Sequence, residues 1–235
     1  MDAEVWYEDC KAIIDLEGSW LTNLSDENGD VLFPRRNLTA PDGSKKLRGG
    51  NHVCMPNFGP GGDSGLDQHG FGRKSLWEIT DKTDQSLLLT LKKGEGEYKD
   101  MAALMTHQMA EKMLLSTLEV TNNGSKDMAV APGFHPYLMI GEDETSITVD
   151  GKKYELDELS EVVFIEGNEH VVETASATFT MRSDEMAVWG IWTDRLGPYV
   201  CVEPTVNGFA FVDGTAEMLS PGQSRQYGFS MSWQR

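Results

Sequence analysis

No apolar run in this chain is long, and turn-forming residues interrupt almost every one. Ser86–Leu91, Ser146–Val149, Thr178–Met181 and Tyr227–Trp233 are short apolar stretches separated by pairs such as Asn28-Gly29, Asn123-Gly124 and Asp150-Gly151. Such pairs accept the positive φ that tight hairpin turns require. Further strand candidates are Leu114–Thr121, Val162–Ile165, Met186–Trp192, Tyr199–Glu203 and Gly208–Val212. No alternation of strands with long helices is visible, and no glycine-rich phosphate fingerprint follows a strand. The pattern predicts an all-β fold, a large antiparallel β-sandwich.

One segment resists this reading. Tyr98–Leu118 is rich in Met, Ala, Leu, Glu and Lys, all strong helix formers. Yet Met101, Ala103, Met105, His107 and Met109 recur with the period of two that a strand face shows. The residues alone leave helix and strand open.

A length of 235 residues, 39% of them apolar, suffices for one large core, and a single domain over residues 1–235 is expected. Thirty-eight acidic against 20 basic side chains leave a formal charge of -18. That field repels nucleic acid and anionic membranes, so neither is expected as a partner. Cys10, Cys54 and Cys201 form no C-x-x-C pair, and no H-E-x-x-H occurs, so no metal or redox cofactor is signalled. The opening MDAEVWYEDC lacks the features of a secretion signal, so a cytoplasmic location is expected, and the chain is separately expected to be a monomer.

Four patches carry possible chemistry. Arg48-Gly49-Gly50-Asn51-His52, continuing to Pro60, is a loop of the composition that binding sites favour. In Gln68-His69-Gly70-Phe71-Gly72-Arg73, the histidine can exchange a proton near neutrality and the arginine offers a planar fork to an anion. His135 stands between Phe134 and Pro136, where its backbone is restricted. Glu203 ends an apolar strand just before Pro204, and partial burial would raise its pKa toward that of a general base. Each patch reads equally well as an ordinary connection or a packed turn.

Taken together and in order, the patches resemble the aldose 1-epimerase (mutarotase) superfamily, in particular its glucose-6-phosphate 1-epimerase branch. The likeness rests on Arg48-Gly49-Gly50 with Pro56-Asn57-Phe58-Gly59, and on Gln68-His69-Gly70-Phe71-Gly72-Arg73. It continues through Val120-Thr121-Asn122-Asn123-Gly124, His135-Pro136-Tyr137-Leu138, Cys201-Val202-Glu203 and Pro221-Gly222. The resemblance implies a galactose mutarotase-like supersandwich, somewhat trimmed, with a sugar or sugar phosphate bound in a cleft and no cofactor. It also implies strands across Tyr98–Leu118. Glu203 would be the general base and His135 the general acid, with Gln68, His69 and Asp194 on the sugar and Arg48 and Arg73 on a phosphate. Departures are Leu138 in place of phenylalanine, Asn51-His52 in place of an apolar-proline pair, and no W-N-P in Trp189–Trp192. The role of His52 stays open between anion binding and capping its loop. Two other readings compete with a hexose 6-phosphate substrate: mutarotation of unphosphorylated aldoses, and a non-catalytic carbohydrate-binding module.

Overall fold

The computed structural model describes residues 2–235. Two nine-stranded sheets face each other. The first runs Asp2–Tyr7, Cys10–Asp15, Trp20–Asp26, Asn51–Cys54, Gly133–Met139, Tyr199–Thr205, Val188–Trp192, Val163–Glu166, with the short Gly29–Asp30 strand beside Trp20–Asp26. The second runs Lys152–Glu155, Ser146–Val149, Glu169–Glu173, Thr178–Arg182, Ser224–Gln234, Met113–Asn122, Met101–Ala110, Ser86–Leu91, Trp77–Lys82. Pairing within both is antiparallel. The expected β-sandwich is the fold observed. No helix among the described residues is long and apolar enough to cross a membrane.

The segment with divided signals forms a hairpin of two ten-residue strands, Met101–Ala110 and Met113–Asn122, joined through Glu111 and Lys112. Along Met101–Ala110 the odd-numbered residues are buried and the even-numbered ones are more open. Strands on both sides supply the hydrogen bonds and the packing, and this context outweighs the local helix preference. His107 lies on the buried side, with Nδ1 3.0 Å from Ser116 Oγ and Nε2 3.1 Å from Ser19 Oγ. A polar ring there is tolerated because both nitrogens have partners.

Alternation sends one row of side chains from each sheet into a shared core. Leu89, Met105, Leu118, Phe229 and Trp233 come from the second sheet, and Ile14, Leu24, Val53, Phe134 and Val202 from the first. Phe134 and Phe229 meet across the interface with ring centroids 4.9 Å apart. Burying a side chain of this size stabilises the fold by roughly 1.5–3 kcal/mol.

Gly208–Val212, expected as a strand, is instead a turn leading into the short helix Ala210–Asp213. Gly208 has φ +62°, which ends the extended chain, and its N–H donates to Thr205 Oγ1 at 2.8 Å. The Val212 and Asp213 N–H groups then donate to the Phe209 carbonyl, so the chain coils instead of pairing.

Asn51–Cys54, Gly133–Met139 and Tyr199–Thr205 are buried on both faces, apart from half-buried Met139. One face meets the sandwich core. Loops carrying Phe58, His69 and Phe209 cover part of the other, and a cavity opens there. Gly50 lets this layer close up: at φ +70°, a Cβ would stand 2.0 Å from the Leu21 carbonyl oxygen. Only glycine fits such an approach.

Candidate active site

Strand register builds the floor of this cavity. His52 pairs with His135 across adjacent strands. Gly133 opposite Thr205 and Tyr137 opposite Cys201 set the register that brings His135 level with Glu203. Glu203 in turn pairs with Gly190. One row across four strands therefore reads His52, His135, Glu203, Gly190. Val53, Phe134, Val202 and Ile191 belong to the core, so this row faces the opposite way, toward the cavity.

His135 Nε2 lies 3.4 Å from Glu203 Oε1, with both side chains almost fully buried. The His135 ring is held between His52 and Tyr137, each stacked at a centroid distance of 4.7 Å. His69 meets it edge-on at 5.2 Å and Trp192 at 5.8 Å. Packing on four sides fixes the imidazole plane.

His69 arrives from a loop and adopts φ +63°, followed by Gly70 at φ +64°. Two successive left-handed residues turn the chain sharply. They set the ring against Cys54 Sγ, 3.2 Å from Nδ1, with the Gly59 N–H donating to the same nitrogen at 3.2 Å. Gln68 Nε2 is 3.3 Å from His69 Nε2.

Two guanidinium groups stand on the cavity wall. Arg48 comes from the Lys45–Arg48 strand, which pairs with Arg36–Thr39. Its Nε–H donates to Asp194 Oδ2 at 2.8 Å, and its guanidinium carbon lies 5.4 Å from the centre of the Trp192 ring. Arg73 donates through Nη2 to the Gln68 carbonyl at 3.0 Å and approaches His52 Nε2 at 3.5 Å through Nη1. Its Nε is buried without a protein partner.

The cavity measures about 330 Å³ and is lined by Arg48, Gln68, His69, Arg73, His135 and Glu203, with Phe58, Tyr137, Ser160, Glu161, Val162, Trp192 and Phe209. That size lies within the 300–1,000 Å³ or so typical of small-ligand sites. Six of the seven expected site residues thus share one cavity. The seventh, Asp194, stands behind Arg48 and also accepts a hydrogen bond from the Tyr199 hydroxyl.

Burial sets the charge state. It pushes the Glu203 carboxyl well above its ordinary 4.5. Burial, aided by His69, Arg73 and Arg48, pulls His135 well below 6.5. His69 falls to about 3 through burial, with Arg73 and Arg48 adding to it. His52 is lowered for the same reason, with His135 and Arg73 contributing. Burial therefore favours a protonated carboxyl beside a neutral imidazole in the facing pair.

Sequence reading missed Phe58, Phe209 and Trp192 as lining residues. A signal existed for Trp192: Trp189 and Ile191 are core residues, so alternation turns Trp192 outward beside Cys201. His52, whose role stayed open, has its ring stacked against His135 and 4.4 Å from that of Trp20. Among the described residues, one group of donors has metal-like spacing: His135, Cys201 and Glu203, with ligand atoms within 4.8 Å of one another.

Comparison with known proteins agrees with this architecture. A galactose mutarotase-like protein from Lactobacillus casei superposes with a TM-score of 0.82 at 18% identity over 100% of both chains. The Slr1438 protein of Synechocystis gives 0.80 at 18%, covering 99% of this chain and 95% of its own. A Salmonella typhimurium relative, named as a candidate glucose-6-phosphate 1-epimerase, is 27% identical over 149 residues, 60% of this chain and 49% of its own length. An Escherichia coli relative named in the same way is 24% identical over 184 residues, 75% and 59% respectively. The chain spans about half the length of these curated relatives. The family model of aldose 1-epimerases matches residues 7–186, most of the sequence and most of both sheets, and the chain belongs to that family.

Proposed function

We propose that the protein interconverts the α and β anomers of a hexose 6-phosphate by opening and reclosing the sugar ring. The observation that carries this reading is the pairing of His135 with Glu203, 3.4 Å apart, in a cavity whose wall holds Arg48 and Arg73.

In this reading the carboxyl proton moves from Glu203 to His135 as the bound sugar draws the pair, 3.4 Å apart, within hydrogen-bond reach. Glu203 then takes the proton of the anomeric hydroxyl while His135 gives one to the ring oxygen. The C–O ring bond breaks and a free aldehyde forms. Rotation about the adjacent C–C bond presents the other carbonyl face, and the two groups run in reverse as the ring closes. Each group finishes in its starting state, so no external acid or base is consumed. His69 and Gln68 contact the oxygens that gain charge, and the low-dielectric surroundings strengthen those contacts. Arg73, whose Nε lacks a protein partner, takes the phosphate with Arg48.

A second reading, mutarotation of unphosphorylated aldoses, is favoured by one contact: Asp194 already neutralises Arg48 at 2.8 Å. Two-dimensional NMR exchange on glucose 6-phosphate and glucose separates the two. The first reading expects at least a tenfold advantage in kcat/KM for the phosphate, about 1.4 kcal/mol, abolished in Arg73→Ala. Equal rates for the two sugars support the second. Binding without acceleration of either sugar rejects both and leaves a carbohydrate-binding module.

A further inference from the structure

Cys201 plays no part in the exchange chemistry, yet it lies on the same strand face as Glu203, two residues away, and is fully buried. With His135 it completes a group of three donors, one nitrogen, one sulfur and one oxygen, with ligand atoms within 4.8 Å of one another. Tetrahedral zinc bonds of about 2.0–2.1 Å to nitrogen and oxygen put those ligands about 3.3–3.4 Å apart. His135 Nε2 and Glu203 Oε1 are already 3.4 Å apart. A second observation points independently to a ligand: Glu203 Oε1 is buried, lines the cavity and has no hydrogen-bond partner.

We infer that His135, Cys201 and Glu203 form a binding site for a thiophilic divalent cation, Zn²⁺ by preference, at the floor of the cavity, where it excludes the sugar. The donor set selects the metal class. Hard cations such as Mg²⁺ and Ca²⁺ take oxygen ligands, whereas a mixed imidazole, thiolate and carboxylate set suits zinc and cobalt. On binding, the Cys201 thiol proton and the Glu203 carboxyl proton both leave to solvent as the metal–ligand bonds form, and the resulting carboxylate and thiolate together balance the dication. Three protein ligands leave a fourth position for water on the cavity side. Arg48 and Arg73 on the cavity wall oppose the added charge, so loss of the sulfur bond on removal of Cys201 weakens binding strongly. The bound metal occupies the lone pairs that the acid/base pair needs, so zinc acts as a reversible inhibitor competing with sugar.

The site rests on donor geometry and does not require the proposed exchange reaction. Cobalt(II) titration of the purified, metal-stripped protein tests it directly. The expected result is a one-to-one complex with a thiolate-to-cobalt charge-transfer band and tetrahedral visible absorption, reversed by zinc. Cys201→Ser, with an unchanged far-ultraviolet circular dichroism spectrum, should lose the band and bind zinc at least 100-fold more weakly. Cys10→Ala should keep both properties, because Cys10 belongs to another part of the sheet. A missing band in the wild-type protein, or a band that survives Cys201→Ser, overturns the inference. An inert protein that still shows the Cys201-dependent band refutes the exchange reaction and leaves the metal site standing.

Discussion

His52 stacks against His135 at 4.7 Å with ring planes 23° apart, the two residues being paired on adjacent antiparallel strands. Trp20 contacts His52 on a 4.4 Å centroid separation, so the inner imidazole is packed and kept neutral by burial. We assign His52 to positioning: it fixes the plane of His135 and receives Arg73 at Nε2. His52→Ala should destabilise the fold by about 2–3 kcal/mol through the cavity it leaves. Anomer exchange should fall about tenfold, equivalent to 1.4 kcal/mol of lost positioning. His52→Phe, which keeps the stack, should restore most of the rate. If the alanine protein melts normally and exchanges anomers at the wild-type rate, the assignment fails.

Glu203 should trade stability for reactivity. Its carboxyl binds a proton more firmly in the folded protein than in the unfolded chain, where the value is 4.5. The folded state therefore loses stability as pH rises above 4.5 toward the raised value. Glu203→Gln removes that loss, and its melting temperature should match wild type near pH 4.5 and exceed it increasingly as pH rises toward the raised value. Exchange should fall by about 10²–10⁴, the range for a positioned general base. A melting difference that does not change with pH would contradict the burial argument.

His107 predicts the opposite slope. Burial lowers it from 6.5 to about 4, so between those values the unfolded chain binds a proton that the folded protein refuses. Stability is thus lost as pH falls from 6.5, at up to roughly 1.4 kcal/mol per pH unit for this one group. Urea unfolding between pH 7 and 4.5 measures the slope, and His107→Gln should reduce it by nearly one proton. Its hydrogen bonds run to Ser19 and Ser116, away from the cavity, so exchange should be unaffected.

Asp194 acts through Arg48, holding Nε at 2.8 Å while accepting from the Leu196 N–H at 3.2 Å. Asp194→Asn should raise KM for a hexose 6-phosphate by about fivefold and leave kcat within about twofold, the pattern for lost uniform binding. A large fall in kcat at constant KM would make Asp194 a direct participant instead.

Gly50→Ala should cost about 3 kcal/mol or more, since it adds left-handed strain to a backbone collision. The Gly50 N–H donates to Phe33 and its carbonyl accepts from Tyr137, so the substitution pulls on the strand carrying His135. Urea midpoints report the loss. A near-normal midpoint would mean that the Leu21 carbonyl moves aside easily.

Strand positions were largely legible because burial in a sandwich follows a period of two and turns need residues that accept positive φ. Ser86–Leu91 and Ser146–Val149 match their expected bounds, and Asp150-Gly151 takes positive φ at both residues. Met101–Ala110 was ambiguous because Met, Ala and Leu suit either structure and only neighbouring strands decide. Gly208–Val212 misled because an apolar run after a glycine looks the same whether it pairs or coils. The N-terminal hairpin, Asp2–Tyr7 with Cys10–Asp15, was missed because its turn at Glu8 and Asp9 carries no glycine.

What the amino-acid order determined by itself is local: which segments extend, where they turn, and which side chains are chemically able to trade protons or hold an anion. Contact between His135 and Glu203, 68 residues apart in numbering, was decided by strand register. A one-residue slip there would have turned one of them into the core. Charge state was likewise a tertiary matter, because the same carboxyl and imidazole titrate normally in water and shift only when the surrounding layers remove it. Cys201 illustrates the division most simply. The chain says it is two residues from a glutamate, and only the fold says that a histidine completes the set.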